Sequence, residues 1–163
     1  MKMARPLLLF PLALMFMALM GIPVHATTPT LLTGQTLASI QSMNVVRTSG
    51  NILFVTIASQ VTFTGGIQRG GLATALATIN TSTGQLVFTE QVAFTGTVMG
   101  SQLGSATILL EGQGTLSGSS HAQAVLTDGT GGLAGLHGEG NSATEAGQPP
   151  TTTYSVLVHF DPA

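Results

Sequence analysis

The sequence predicts an all-β fold: an eight-stranded antiparallel barrel, with an open β-sandwich as the alternative. Three observations carry this. No proline lies between Thr30 and Gln148, so the ladder donors are uninterrupted. No amphipathic 3.6-residue period persists over three turns. In its place stands a period-two alternation rich in Thr, Val, Ile, Phe and Leu, punctuated by many of the 21 glycines, which is the strand and hairpin signal.

The first element is an address. Lys2 and Arg5 form a basic region, an apolar run follows from Pro6 to Ile22, and Val24-His25-Ala26 presents small residues at −3 and −1. This is the pattern of a secretory signal peptide cleaved after Ala26. The run has two internal prolines and is short for a membrane span, so an uncleaved anchor is the weaker alternative. The organisation is then 1–26 signal peptide and 27–163 a single β-barrel domain, secreted or periplasmic, with no membrane attachment after cleavage. Removal of the signal leaves Arg47 and Arg69 as the only bases against six carboxylates. Such a chain cannot neutralise a run of phosphates, so nucleic acid is not a partner. No cysteine is present, which removes thiol chemistry, disulfides and Cys-based metal sites.

The strands follow at 35–47, 51–64, 71–79, 85–98, 105–116, 119–127, 135–145 and 151–160. Turns are expected at Ser49-Gly50, Gly65–Gly70, Asn80–Gly84, Met99–Gly104 and Asp128–Gly132, where Gly, Asn and Asp tolerate positive φ. Alternation assigns the faces. Leu53, Val55, Ile57, Val61 and Phe63 line up in the second strand, although Ile52 and Phe54 make it apolar on both sides. Leu86, Phe88, Val92, Phe94 and Val98 share a face of the fourth. Ala106, Ile108, Leu110 and Leu116 face inward in the fifth, and Tyr154, Val156, Val158 and Phe160 in the eighth. Eight such strands with short connections close into a barrel whose interior is filled or holds one small ligand. Closure also removes sheet edges in a chain with 6% charged residues. An outer-membrane barrel would show aromatic girdles, against one Tyr and no Trp. A β-solenoid would show a repeat, and the echo of Phe63-Thr64-Gly65 in Phe94-Thr95-Gly96 is not extended.

Chemistry-bearing residues are few. Glu90 falls on the inward Leu86/Phe88/Val92/Phe94 face; a carboxyl there has a raised pKa and can act as acid or base. Its plainer role is an ion pair with Arg47 or Arg69, or a place in water at the barrel mouth. Phe88, Glu90, Phe94 and Tyr154 are the candidate ligand-binding residues, and Glu90 is the one catalytic candidate. His137 and Glu139 share a face but lack a third ligand, so no metal site is assigned. Glu111, His121 and His159 are expected on polar or mixed faces. No Gly-x-Ser-x-Gly elbow occurs. The Gly129/Gly131/Ala134 spacing of a dinucleotide loop has no following helix. No cofactor is expected.

The segment Asp128-Gly129-Thr130-Gly131-Gly132-Leu133-Ala134-Gly135-Leu136-His137-Gly138-Glu139-Gly140 resembles the Gly-Thr-Gly signature of the allene oxide cyclase-like barrels. More closely, it resembles a family of uncharacterised bacterial proteins, many of them secreted. Val61–Ile67, Ala93–Val98, Ile108–Glu111, Gly114–Leu116 and Tyr154–Pro162 are similar to further strands of that family in order. The resemblance implies an eight-stranded antiparallel barrel. Of function it implies little: allene oxide cyclases fold a flexible substrate in an apolar barrel with a carboxylate and bound water, and their polar residues cluster in the first strands, where Gln35 to Arg47 here holds no carboxylate. Where the bacterial family carries a Glu four residues before the Phe-Thr-Gly glycine, this chain has Val92, with Glu90 two residues earlier. The first reading is a non-enzymatic, secreted barrel that binds a small hydrophobic molecule. A cofactor-free cyclase or isomerase using Glu90, and a structural or interaction protein at the cell surface, are the alternatives. The low surface charge predicts a homo-oligomer.

Overall fold

The computed structural model describes residues 28–147 and 151–161; the predicted signal peptide lies outside the described residues. Eight strands follow in order: β1 (Thr30–Ser49), β2 (Ile52–Gly65), β3 (Ile67–Asn80), β4 (Gln85–Val98), β5 (Gly104–Thr115), β6 (Ser120–Gly131), β7 (Leu136–Glu145) and β8 (Thr151–Phe160). Each pairs antiparallel with the next, and β1 pairs with β8 from Thr30↔Val158 to Thr36↔Thr152, closing the ring. The open sandwich is thereby excluded.

Two glycine pairs that look alike in sequence have opposite roles. Gly65-Gly66 makes the β2–β3 turn, with Gly65 at φ +96°. Gly70, expected in that turn, and Gly71, expected to open the next strand, both lie inside β3. A Cβ on Gly70 would come 1.8 Å from the Val61 carbonyl oxygen, and one on Gly71 would come 1.9 Å from that of Ala93. Glycine is there because the neighbouring strands approach too closely for a side chain. For a similar reason β6 runs on to Gly131 instead of stopping at 127: it passes a bulge opposite Ser105/Thr107, and a bulge continues a strand while breaking its alternation. Leu116, expected to face inward, is 57% exposed; β5 ends at Thr115, so Leu116 belongs to the turn and has no inward face to occupy.

Following the pairing once around the ring gives the barrel's stagger. Val55 pairs with Ala77, then in turn come Phe88, Gly112, Ala122, Ser142, Tyr154 and Gly34, whose partner on β2 is Gly65. The circuit returns to β2 ten residues further along, from Val55 to Gly65. Ten residues at about 3.3 Å over eight spacings of about 4.8 Å give a strand tilt of about 40°. The strands end near a common row, but that row climbs around the barrel. β8 therefore meets β1 only as far as Thr36, while β1 continues to Ser49. Beyond Thr36 the outer edge of β1 has no strand partner among the described residues, and Leu37, Ile40, Met43, Val45 and Val46 are exposed. Bulges near Gln41 and Val46 twist this free edge.

The interior divides in two. Toward one end Phe94, Ile67, Leu133, Leu136, Val92, Val98 and Val158 are fully buried; each such side chain contributes roughly 1.5–3 kcal/mol by leaving water. Toward the other end a smaller cluster of Val55, Ala77 and Ile79 is backed by Leu53, Ile57, Leu86 and Phe88.

Candidate ligand cavity

The inward positions of β5, β6 and β7 toward the less packed end are small: Gly112 and Gly114, Ala122 and Ala124, Gly140 and Ser142. Side chains this short cannot reach the barrel axis, so a space is left beside that wall. It is a cavity of about 1090 Å³, open to solvent, bounded by the ring row Val55, Ala77, Phe88, Gly112, Ala122, Ser142 and Tyr154. The two aromatic members are Phe88 and Tyr154. Gly112 leaves room for the Phe88 ring, which would lie 2.8 Å from a Cβ at that position.

Tyr154 is held as a latch. Its hydroxyl accepts a hydrogen bond from the Ile67 backbone N–H at 2.8 Å and donates to the Thr64 carbonyl at 2.9 Å. The ring crosses Gly34, where a Cβ would sit 2.4 Å from the hydroxyl oxygen. Burial raises the phenol pKa above its ordinary value, partly opposed by the backbone hydrogen bonds at Ile67 and Gly66. The ring packs edge-on against Phe63 at 6.0 Å, and Phe63 packs on Phe94 at 5.6 Å. Phe94, a sequence candidate for ligand contact, is 1% exposed and lies in the core outside the cavity lining.

Glu90 points into the barrel in the next row down, paired with Ala75 and Leu110 and flanked along β4 by Phe88 and Val92. Burial raises its carboxyl pKa, because the charged form is poorly solvated there. It makes no hydrogen bond or ion pair among the described residues, and no side-chain oxygen there is both sealed from solvent and unpartnered. Its carboxyl oxygens are therefore not sealed from solvent, but Glu90, like Phe94, is not among the residues that line the cavity. Neither arginine reaches it. Arg47 lies over the exposed side of Phe54, 4.6 Å from the ring centroid. Arg69 has φ +81° and is exposed at the packed end.

The remaining polar candidates are exposed, His159 in part. His121, which bonds Gln113 at 3.0 Å, and Glu111 are exposed yet are among the residues that line the cavity. His137 and His159 stack at 5.5 Å and both approach Asp161, at 3.1 and 3.6 Å; Glu139 is not part of this group. No set of three or more acidic or His side chains among the described residues is arranged to hold a metal. The residues that sequence reasoning missed are Ala77, Gly112, Ala122 and Ser142. Their signal was available: small residues at alternate, inward positions on three consecutive strands.

The chain is similar in fold to a DUF3224 protein. That protein, of unknown function and from Shewanella oneidensis MR-1, has a crystal structure that superposes with a TM-score of 0.61 at 23% identity, covering 83% of this chain and 100% of its own. At that identity the likeness concerns the fold. It sits with the expectation of an uncharacterised domain family. No family model matches the chain, and no curated protein matches it.

Proposed function

We propose that this protein binds a small hydrophobic molecule inside the open half of its barrel. One observation carries the reading: an interior that is fully packed at one end gives way to a cavity of about 1090 Å³ at the other, walled by Val55, Ala77, Phe88, Ala122 and Tyr154. Pockets that bury most of a small ligand have volumes of roughly 300–1,000 Å³ and mostly apolar walls with a few polar groups. Apolar wall exposed to water forgoes about 25 cal/mol per Å² relative to contact with an apolar guest. The test is binding of the neutral fluorophore N-phenyl-1-naphthylamine to residues 27–163. Saturable one-to-one enhancement is expected, and Ala122→Phe, which fills the cavity from the small wall, should abolish it. Equal binding by that variant, or none by either protein, would count against the reading.

A second reading is favoured by Glu90, an unpaired acid within an apolar interior. It is a cofactor-free cyclase or isomerase like the allene oxide cyclases that the Gly-rich segment resembles. Cyclisation conserves mass. A molecule co-purifying with the protein and converted to an isomer by wild type but not by Glu90→Gln would support it; recovery of the molecule unchanged would count against it. We further propose that the protein acts outside the cytoplasm after cleavage at Ala26, to be tested by the amino-terminal sequence of the exported form.

A further inference from the structure

β1 outruns the strand that closes the barrel. β8 pairs with it only as far as Thr36, and the thirteen residues from Leu37 to Ser49 are all exposed. One side of this stretch is held by β2, from Leu37↔Thr62 to Ser49↔Ile52. The other side has no strand partner among the described residues. Its outward backbone N–H and C=O groups form a pairing template about 43 Å long. Leu37, Ile40, Met43, Val45 and Val46 stand on it with 57–68% of their surface exposed. Together they present about 500 Å² of apolar surface, the size at which an exposed patch marks an interaction site. Sheet edges are commonly blunted by lysine, proline or inward-pointing charge. Residues 37–49 hold no Lys, Pro, Asp or Glu, and Arg47 is their one charge.

We propose that this edge is the contact between two copies of the chain: β1 pairs antiparallel with β1 of a second copy about a two-fold axis and joins the two barrels. Three observations select a second copy as the occupant. The first is the spacing of the bulges. β1 carries an extra residue relative to β2 at Gln41 and again at Val46, on either side of the regular run Ser42–Val45. A regular strand laid along the edge is interrupted at both places. A second β1, centred on the same run, sets each bulge against the partner's other bulge, so the irregularities coincide and the edge matches itself. The second is charge. In that arrangement the two Arg47 side chains lie about 23 Å apart along the strands, well beyond the screening length of about 8 Å at physiological salt, and no other charge enters the joint. The third is area. The five aliphatic side chains and the backbone edge between them approach the roughly 800 Å² a side of a standard interface. The contact is isologous, so it closes at two copies and does not propagate.

Sedimentation velocity of the protein from about 1 to about 200 μM reads the assembly, and a monomer–dimer equilibrium with no larger species is expected. The double variant Ile40→Lys/Val45→Lys places like charges in the joint and should raise the dissociation constant at least about a hundredfold, with an unchanged far-ultraviolet spectrum. Leu72→Lys/Leu109→Lys makes the same charge change at exposed positions on β3 and β5 and should leave the constant within a few fold. Amide exchange of the wild type gives a reading that needs no variant: protection at residues 37–49 should rise with protein concentration while that of the buried strands stays constant. A monomer at every concentration would assign the edge to some other occupant and overturn the proposal. So would open-ended polymers, a dimer indifferent to the lysines on β1, one broken equally by those on β3 and β5, or exchange at 37–49 that ignores concentration.

Discussion

Tyr154→Phe removes a single oxygen and tests how the ring of strands is held. The hydroxyl ties the last strand to the β2–β3 corner, accepting from Ile67 N–H and donating to Thr64 C=O. Ile67 is 1% exposed, so its N–H cannot turn to water when the oxygen goes. A buried donor left unsatisfied costs about 1–3 kcal/mol. Thr64 is exposed, and its carbonyl can be hydrated at small cost. The phenylalanine ring keeps its contact with Phe63, so little cavity term is added. The expected loss is about 2 kcal/mol, which for a domain of this size lowers Tm by about 6–10 °C. Urea unfolding of the two proteins measures the loss, and amide exchange locates it: the Ile67 N–H should exchange much faster in the variant. A difference below about 0.5 kcal/mol with unchanged exchange at Ile67 would refute the latch.

Gly34→Ala and Gly50→Ala should differ sharply. At Gly34 a Cβ would sit 1.9 Å from the Thr64 carbonyl oxygen, whereas at Gly50 (φ +58°) nothing lies within 4 Å. The first should cost more than about 4 kcal/mol or prevent soluble expression, the second about 1–2 kcal/mol, both read by thermal melts. Because the Glu90 pKa is raised on folding, the folded state holds the proton longer than the unfolded one. Stability from this group is therefore lost as pH rises from the ordinary carboxyl value through the folded one. Glu90→Gln should be more stable than wild type at neutral pH, with the difference closing near pH 4; a pH-independent difference in Tm would sink this. Placing lysines at Ile40 and Val45 on the free edge of β1 should leave stability within about 0.5 kcal/mol and abolish any concentration-dependent association seen by light scattering.

Strand count and facing were legible because one-sided burial writes itself as period two. In β4, Leu86, Phe88, Glu90, Val92, Phe94 and Val98 all point inward as the alternation requires. What alternation cannot carry is anything set by bulges or by partners far along the chain. The bulge between Val45 and Arg47 puts Arg47 on Phe54 and out of reach of Glu90. The left-handed backbone at Arg69 does the same for the other arginine. Gly70 reads as part of a turn because the close strand approach that requires it is invisible in one dimension. Phe88 and Phe94 are equivalent in the pattern, yet the first lines the cavity and the second is packed in the core. That separation depends on which residues face them across the barrel, and it is the small residues of β5–β7 that decide it.

The seam between β1 and β8 joins opposite ends of the chain through seven residue pairs, against fourteen between β3 and β4. Every other strand contact is a hairpin that forms locally, on a timescale of microseconds. Folding therefore zips a curved meander first and closes it with one long-range step, the step that carries most of the loop-closure entropy. In the native state this seam and the β6–β7 ladder, with seven residue pairs each, are the shortest in the barrel. The barrel is thus a rolled sheet with one long-range fastening, which the Tyr154 hydroxyl reinforces from β8 to the β2–β3 corner.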